Sequence, residues 1–310
     1  MQTNVIFPPA LEIGAKPFLK WAGGKGQLIE QIKERLPKEF SFRNKIEKYI
    51  EPFVGGGALF FWLSQRYEID EAYLYDINPE IVTAYKTIKS KVHLLLDELR
   101  DLEKQYKKRN KSDRENFYYQ KRDEYNEFIE KKIPNNVVQR TALIIVLNKT
   151  CFNGLFRVNS RGLFNVPFGK YENPNICDEV NLLAVSRALR NAEIVCCDFE
   201  KCLEVANSKT FVYFDPPYRP ISKTSNFTGY IANGFSDDEQ RRLRNIFVSL
   251  DKLGSNVMLS NSDPKNLDLN DHFFDELYKD FTIERLNATR MINCNAAKRD
   301  LIKEILITNY

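Results

Sequence analysis

The segment Asp215-Pro216-Pro217-Tyr218 follows the apolar run Phe211–Phe214 and combines hydrogen-bond acceptors with one aromatic ring. The two prolines stiffen the backbone and remove N–H donors, so that carbonyl groups remain as acceptors. An exocyclic amine has two N–H donors, which the Asp215 carboxylate and the Pro216 carbonyl can hold while Tyr218 stacks on the base. The pattern indicates a turn that holds an exocyclic amine such as that of adenine, for a reaction catalysed mainly by positioning, although a merely rigid turn explains it locally.

A glycine-rich turn, Glu51–Gly57, stands between a short apolar run and an amphipathic segment. Glycines at a strand-to-helix turn allow a ligand to approach the backbone closely. Asp76 follows Gly55 by 21 residues and ends the next apolar run, where an acid can accept hydrogen bonds from ribose hydroxyls. The spacing G-x-G-x-x-G of pyrophosphate sites is absent, so an adenosine with an amine and a carboxylate fits better. The sequence therefore predicts S-adenosylmethionine as ligand, with a plain turn as the alternative.

The segment Phe18–Leu28 places Trp21 and Lys25 beside three glycines. It lacks the G-x-x-x-x-G-K-[ST] spacing of a phosphate-binding loop, because Gln27 stands where Ser or Thr is needed. We expect Trp21 and Lys25 to wall a small-molecule pocket, unless the segment only packs against the following helix.

Composition excludes several other kinds of site. The six cysteines are scattered and the chain has two histidines, so we expect no metal site and no histidine-based catalysis. No run of about 18 apolar residues and no basic-then-apolar start is present, so we expect no membrane span and no signal peptide. We therefore expect a cytoplasmic protein with reduced thiols.

The basic residues are unevenly distributed. Four segments, 13–29, 149–171, 216–235 and 285–299, together hold thirteen basic residues and no acidic one. The rest of the chain holds 33 of the 46 basic residues against all 42 acidic ones. If folding brings these segments together, they form a surface for a polyanion; the alternative is ordinary solvated loops.

Short β-rich runs alternate with segments of helical periodicity, which predicts an α/β fold with a doubly wound, seven-stranded, mostly parallel sheet. The last two runs have no helix between them and should form an antiparallel hairpin at one edge. The predicted strands contain Tyr49–Ile50, Ala72–Tyr75, Ile194–Cys197, Phe211–Phe214, Asn256–Leu259, Thr282–Leu286 and Glu304–Thr308. The predicted helices are Gln27–Leu36, Ala58–Tyr67, Glu80–Lys89, Asp178–Arg190 and Asp237–Leu253.

The pattern changes between residues 89 and 175. Lys91–Lys132 is charged and helical, Val137–Leu147 is a second, apolar helix, and residues 152–171 alternate like a β-hairpin. We predict a helical insertion with a β-hairpin at 89–175, within a discontinuous α/β domain made of 1–88 and 176–310.

From Pro17 to Tyr310 these motifs closely resemble the Dam-type, α-group family of DNA adenine-N6 methyltransferases. The resemblance implies a Rossmann-like methyltransferase fold and S-adenosylmethionine, converted to S-adenosylhomocysteine, as the cofactor, without a metal. It also implies that the insertion at 89–175 binds DNA and that the discontinuous domain is catalytic. The implied catalytic residues are those of Asp215–Tyr218. The implied cofactor-binding residues are Trp21, Lys25, Phe53, Gly55, Asp76, Asp198, Phe199 and Asp215.

The stretch from Asn153 to Pro174 is similar to the recognition hairpin of family members that methylate the adenine of GATC. The resemblance implies that Arg157 reads a guanine, the alternative being a phosphate contact only. Other implied DNA contacts are Lys20, Phe152, Asn153, Leu155, Asn159, Pro167, Tyr171, Ser225 and Asn226. The segment 285–299 departs most from the family pattern.

The expected partner is therefore double-stranded DNA, bound by a monomer, with more than one copy per DNA allowed. Two alternatives remain open. RNA methyltransferases acting on guanine N2 share the segment Asp215–Tyr218 but usually lack an insertion of this size. A catalytically silent DNA-binding module is expected to lose Asp215 or the glycine turn, and both are present.

Overall fold

A mixed seven-stranded sheet forms the centre of the protein, in a computed structural model that describes residues 14–21, 25–131, 136–219, 235–289 and 301–310. Its spatial order is β3-β2-β1-β4-β5-β7-β6. The strands are β1 (Lys45–Glu51), β2 (Glu68–Asp76), β3 (Ala192–Cys196), β4 (Thr210–Phe214), β5 (Asn256–Ser262), β6 (Thr282–Thr289) and β7 (Leu301–Thr308).

The first five strands are parallel, and β7 pairs antiparallel with both β5 and β6. The predicted α/β fold with a mostly parallel sheet and an antiparallel edge hairpin is thus confirmed. The strand β7 enters between β5 and β6, so that β6 forms the edge. Residues 290–300, between these two strands, lie outside the described residues.

Nine α-helices lie within the described ranges, together with short 3-10 turns at Lys25–Gln27, Phe152–Gly154, Phe199–Glu204 and Pro264–Asn266. The helices are α1 (Ile29–Lys33), α2 (Lys38–Arg43), α3 (Ala58–Leu63), α4 (Pro79–Lys107), α5 (Lys111–Glu130), α6 (Val137–Thr150), α7 (Glu179–Ala188), α8 (Asp237–Lys252) and α9 (Phe273–Leu277).

Two predicted helices are shorter than expected. The first was predicted from Gln27, but residues 25–27 form a 3-10 turn and the α-helix covers only α1. The second was predicted over Ala58–Tyr67, but α3 ends at Leu63. Just after this end, the Ser64 hydroxyl donates to the Phe61 carbonyl. Apolar periodicity continues past both helix ends, because the residues beyond them still pack against the core.

The sheet separates two groups of buried side chains. Tyr213 packs on one side with α3, α4 and α6, whereas its neighbours Val212 and Phe214 pack on the other side with α8. This alternation follows from the strand period of two. Because both faces are covered, the central strands are apolar on both sides, as expected for a parallel sheet.

The predicted helical stretch 91–132 consists of two helices, α4 and α5. Helix α4 begins at Pro79, after Asn78 caps it, and continues across the predicted domain boundary at 88/89, with a kink at Lys91. In its first turn, Glu80 is buried and accepts hydrogen bonds from Tyr125 of α5 (2.7 Å) and from Arg140 of α6 (2.8 Å). These bonds attach α5 and α6 to the first turn of α4, which directly follows β2. The division into two domains stays a prediction.

Residues 150–171 form an antiparallel hairpin, but an irregular one. Backbone hydrogen bonds join Phe152 to Pro167 and Asn159 to Leu163, and isolated antiparallel bridges join Cys151 to Phe168 and Val158 to Phe164. The predicted hairpin is therefore present, but without regular strands. The cause is the turn at 152–154, where Asn153 and Gly154 both take positive φ and interrupt the first arm.

Candidate active site

The carboxyl ends of the parallel strands carry the acids of the predicted site. Glu51 ends β1, Asp76 ends β2, and Asp215 directly follows β4. The strand β1 lies between β2 and β4. From β1 the chain adds β2 and β3 on one side, and then crosses over to add β4 and β5 on the other side. In open α/β sheets such a reversal of strand order leaves a crevice where ligands bind. The predicted glycine turn and the segment Asp215–Tyr218 flank this crevice.

The glycine turn is held against β2 and against Trp21. The Gly55 N–H donates to Asp76 Oδ2 (3.0 Å), and the Val54 N–H donates to the Tyr75 carbonyl (2.9 Å). Gly55 has φ +43°, and a Cβ at this position would lie 2.5 Å from Trp21 Nε1. Glycine is therefore required here for conformation and for space. The Trp21 ring therefore lies directly beside the backbone of Gly55, and its role as the wall of a ligand pocket stays a prediction.

The Asp76 carboxylate can accept more hydrogen bonds than the protein donates to it in the described residues. Its two carboxylate oxygens accept from the N–H groups of Gly55 (3.0 Å) and Asn78 (2.9 Å), which leaves further lone pairs for ligand hydroxyls. Burial raises the pKa of Asp76 to about 6, against the lowering effect of these backbone hydrogen bonds. The carboxylate is therefore ionised at neutral pH. These carboxylate acceptors fit the hydroxyl donors of an adenosine ribose, and the backbone of Gly55 beside them carries no side chain that would obstruct the rest of the ligand.

Asp215 lies between an ammonium group and a hydroxyl. Lys25 Nζ is 3.0 Å from Asp215 Oδ1, and the Ser260 hydroxyl donates to the same oxygen at 3.3 Å. Tyr213 in turn contacts the Ser260 hydroxyl at 2.8 Å. Burial raises the pKa of Asp215 to about 6, although Lys25 lowers it. No hydrogen bond to Oδ2 is among those found in the described residues, and that oxygen is the one open to a substrate N–H.

Lys25 is only 3% exposed and its ammonium group points at protein acceptors. Besides Asp215, it contacts Glu304 Oε2 at 3.0 Å and donates to the Tyr218 hydroxyl at 2.7 Å. The Tyr218 hydroxyl donates to Glu304 Oε1 at 2.9 Å. Sequence reasoning identified Lys25, Asp215 and Tyr218 but missed Glu304. Its signal was present, since Glu304 is a lone acid within the apolar run of β7.

Phenylalanines close the side of the crevice that lies towards β3. The Phe53 ring lies 5.3 Å from Phe199 and 5.7 Å from Phe235 between centroids. Asp198, predicted to contact the cofactor, forms an ion pair with Arg242, whose guanidinium group lies 4.3 Å over the Phe199 ring. The Asp198 carboxylate therefore has a protein partner, and its contact with a cofactor stays a prediction.

A second cluster joins the segment around Lys20 to the hairpin 150–171. The Asn148 side chain accepts from the Lys20 N–H and donates to the Lys20 and Gly154 carbonyls, at 2.8–2.9 Å. A Cβ on Gly154 would lie 2.2 Å from Lys20 Cδ. The Lys20 ammonium lies 4.6 Å from the centre of the Tyr171 ring. These contacts bring Lys20, the turn at 152–154 and Tyr171 close together, and their contact with DNA stays a prediction. The buried Asn148, which connects Lys20 to the turn, was not predicted.

The hairpin presents Arg157 to solvent and holds its side chain. Arg157 Nε donates to the Asn165 side chain (2.8 Å) and its Nη2 to the Asn165 carbonyl (3.1 Å). Asn159 accepts from the N–H groups of Arg161 and Leu163, so that it stabilises the hairpin tip. The predicted contact residues Phe152, Asn153 and Pro167 are also exposed, whereas Leu155 is half-buried. Ser225 and Asn226 lie outside the described residues.

Part of the predicted basic surface is neutralised by acids from elsewhere in the chain. Lys25 contacts Asp215 and Glu304, Arg219 pairs with Asp237 and Asp271, and Arg285 pairs with Asp263 and Asp275. A segment without acids in the sequence can therefore meet acids from other segments after folding, and these three cations are paired. That the four segments form a surface for a polyanion stays a prediction. In the segments 13–29 and 149–171, as far as the structure describes them, the exposed cations are Lys16, Lys20, Arg157, Arg161 and Lys170.

In the described parts of the chain, no group of three or more histidine, cysteine, aspartate or glutamate side chains is arranged to hold a metal ion. No helix of these ranges has both the length and the apolar character needed to cross a membrane.

Comparison with known proteins agrees with the geometry of the crevice. Residues 21–292 match the family model of D12 class N6 adenine-specific DNA methyltransferases. The chain is 50% identical over 296 residues to the type II methyltransferase M.MjaIII of Methanocaldococcus jannaschii, covering 95% of this chain and 99% of that protein. It is 38% identical over 301 residues to the type II methyltransferase M1.LlaDCHI of Lactococcus lactis subsp. cremoris, covering 96% and 97%. It is 34% identical over 292 residues to the DNA adenine methylase of Haemophilus influenzae, covering 94% and 92%. The chain therefore belongs to the D12 class of N6 adenine-specific DNA methyltransferases, which are site-specific and use S-adenosylmethionine.

Proposed function

We propose that this enzyme methylates the adenine of GATC in duplex DNA, with S-adenosylhomocysteine as the second product. The observation that carries the target site is the hairpin 150–171, which holds Arg157 exposed through two hydrogen bonds to Asn165. An arginine fixed in this way can donate to guanine O6 and N7 together in the major groove. Residues 89–175 would then be the recognition part and residues 1–88 and 176–310 the catalytic part.

The crevice suits the cofactor through its own residues. Asp76 would accept the ribose hydroxyls, Trp21 and Gly55 would line the space beside them, and Phe53 and Phe199 would contact the adenine. S-adenosylmethionine supplies a methyl group on a positive sulfur, which leaves as a neutral thioether. Because that leaving group needs no Lewis acid, the proposal includes no metal ion.

On the base side, Asp215 and Tyr218 hold the target. The adenine must leave the duplex, which costs a few kcal/mol, before it reaches the crevice. The free Oδ2 of Asp215 and the Pro216 carbonyl would accept the two N–H groups of the amine, and Tyr218 would stack on the ring. These acceptors orient the nitrogen lone pair towards the methyl group. After transfer the nitrogen carries a positive charge and loses one proton, for which Asp215, with its pKa raised to about 6, is the adjacent acceptor.

The test uses purified protein, a tritiated methyl donor and short duplexes. A duplex with one GATC should take up label, whereas the same duplex with GTAC, or with GATC already methylated on both strands, should not. Asp215→Ala should abolish uptake on GATC while DNA affinity stays within about threefold, since Asp215 is not on the recognition surface. Equal labelling of GATC and GTAC would refute the target site, and an active Asp215→Ala variant would refute the assigned role.

A further inference from the structure

Glu304 is a buried acid in β7, a strand of mainly apolar side chains. It lies in the middle of β7, opposite Ser262 of β5 and Leu286 of β6, and is 7% exposed. A carboxylate in such a position loses its hydration and is retained only if charged or polar partners replace the water. Its partners are Lys25 and Tyr218, both in the crevice.

The direction of each hydrogen bond defines what Glu304 does to Tyr218. The Lys25 ammonium donates to the Tyr218 hydroxyl (2.7 Å), so the hydroxyl proton must point elsewhere, and it points to Glu304 Oε1 (2.9 Å). A hydroxyl held on both its donor and its acceptor side fixes the position of the ring tip. Because a phenol forms both hydrogen bonds near the plane of its ring, the two partners also select one rotation of the ring about its axis. The plane of the Tyr218 ring is therefore determined by Glu304 and Lys25 together.

Glu304 also affects how Lys25 meets Asp215. The ammonium lies 3.0 Å from Glu304 Oε2 and 3.0 Å from Asp215 Oδ1, so two carboxylates share one cation. Without the charge of Glu304, the ammonium would be drawn fully onto Asp215. A carboxylate with a tighter cationic partner is a weaker acceptor for a neutral amine. Glu304 thus keeps Asp215 available as an acceptor.

We propose that Glu304 is a positioning residue for methyl transfer, which fixes the Tyr218 ring against the flipped adenine and shares Lys25 with Asp215. The inference rests on the proposed placement of the adenine between Asp215 and Tyr218. Glu304 itself reaches the reaction only through these side chains. Its loss should therefore slow the methyl-transfer step while cofactor and DNA binding remain.

Four proteins test this inference: Glu304→Gln, Tyr218→Phe, the double variant, and Glu284→Gln as a control. Glu284 lies on β6 of the same hairpin, but its side chain is 43% exposed and pairs with Arg35. The rate constant for a single turnover on a GATC duplex is measured for each, with cofactor and DNA dissociation constants by titration. Loss of one charge-assisted hydrogen bond predicts an about 10- to 100-fold slower turnover for Glu304→Gln, with both dissociation constants within about twofold. Glu284→Gln should have the same single-turnover rate constant and the same dissociation constants as the wild-type enzyme.

The double variant separates positioning from a merely structural role. Phenylalanine keeps the ring but has no hydroxyl for Glu304 to hold, so Glu304→Gln should cost several-fold less in the Tyr218→Phe background than alone, and the remaining cost should come from the shared Lys25 ammonium. An equal cost in both backgrounds, or an unchanged turnover in Glu304→Gln, would overturn the inference.

Tyr218→Phe and Asp215→Ala provide independent tests of the same contacts. If Glu304→Gln fails to fold, Tyr218→Phe breaks the same hydrogen bond from the other side, and it should itself lose about 10- to 100-fold in turnover with unchanged binding. A Tyr218→Phe variant as fast as the unchanged enzyme would then overturn the inference. An active Asp215→Ala variant would instead mean that the proposed base site is wrong, whereas an inactive Asp215→Ala with a fully active Glu304→Gln rejects only the role of Glu304.

Discussion

Replacing Asp76 with Asn should weaken cofactor binding strongly and leave DNA binding nearly unchanged. The carboxylate accepts from Gly55 and Asn78 and keeps lone pairs for two ribose hydroxyls. An amide can accept only through its oxygen, and its NH2 group would face a backbone donor or a hydroxyl. Loss of hydrogen bonds to a charged acceptor is worth about 3 kcal/mol, which is an about 100-fold rise in Kd.

The assay is calorimetric titration of S-adenosylhomocysteine into the DNA-free protein, at about pH 7.5 and about pH 5.5. Because burial raises the pKa of Asp76 to about 6, the unchanged enzyme should bind the ligand more weakly at the lower pH, where the carboxyl group is protonated. Asp76→Asn should show little of this pH dependence. Asp70→Asn is the matched control, because Asp70 lies on the same strand but pairs with Lys45 at the surface. An Asp76→Asn variant that binds within about twofold of the unchanged enzyme would refute the reasoning.

Further predictions concern recognition, stability and pH. Arg157→Ala should lower the preference of kcat/KM for GATC over single-base variants by about 1–3 kcal/mol, with Arg161→Ala as control; equal weakening on every sequence would mean a phosphate contact. Glu51→Gln should stabilise the cofactor-free fold at alkaline pH. Burial raises the pKa of Glu51 to about 8, so the folded chain keeps its proton over a pH range, above about pH 4.5, in which the unfolded chain has released it. The stability of the unchanged protein should thus fall as pH rises from about 4.5 to about 8, by up to about 1.4 kcal/mol per pH unit from this group, and the gain on Glu51→Gln in urea titrations should grow over the same range; a constant gain would contradict it. A plot of log kcat/KM should fall below about pH 6 as Asp215 is protonated, and a flat profile would count against an ionised acceptor. DNA affinity should drop steeply with salt, since several phosphates are neutralised, and a flat response would argue against the basic surface.

The sheet and the crevice were predictable because their signals are local. Apolar runs mark the strands, and the acids at their ends, Asp76 and Asp215, meet at one edge because parallel strands end together. The motif order left guanine-N2 methylation of RNA and a silent DNA-binding module open. The family match selects adenine methylation of DNA.

The connections across the chain were not predictable in the same way. Glu304, 89 positions after Asp215, and Asn148, 128 positions after Lys20, act through contacts that no local pattern encodes. The charge distribution along the chain had the same weakness, because Arg285 finds Asp263 and Asp275 only after folding. A lone buried acid in an apolar strand was the one usable signal for Glu304.

The methylated base and its sequence context are measured most directly by mapping methylated adenines in plasmid DNA from cells that express this protein and lack any other adenine methylation. We expect N6-methyladenine at the adenine of every GATC on both strands, and none in cells that express the Asp215→Ala variant. Methylation confined to a different sequence would contradict the recognition role of the hairpin. Methylation that persists in the Asp215→Ala variant would contradict the assignment of the active site.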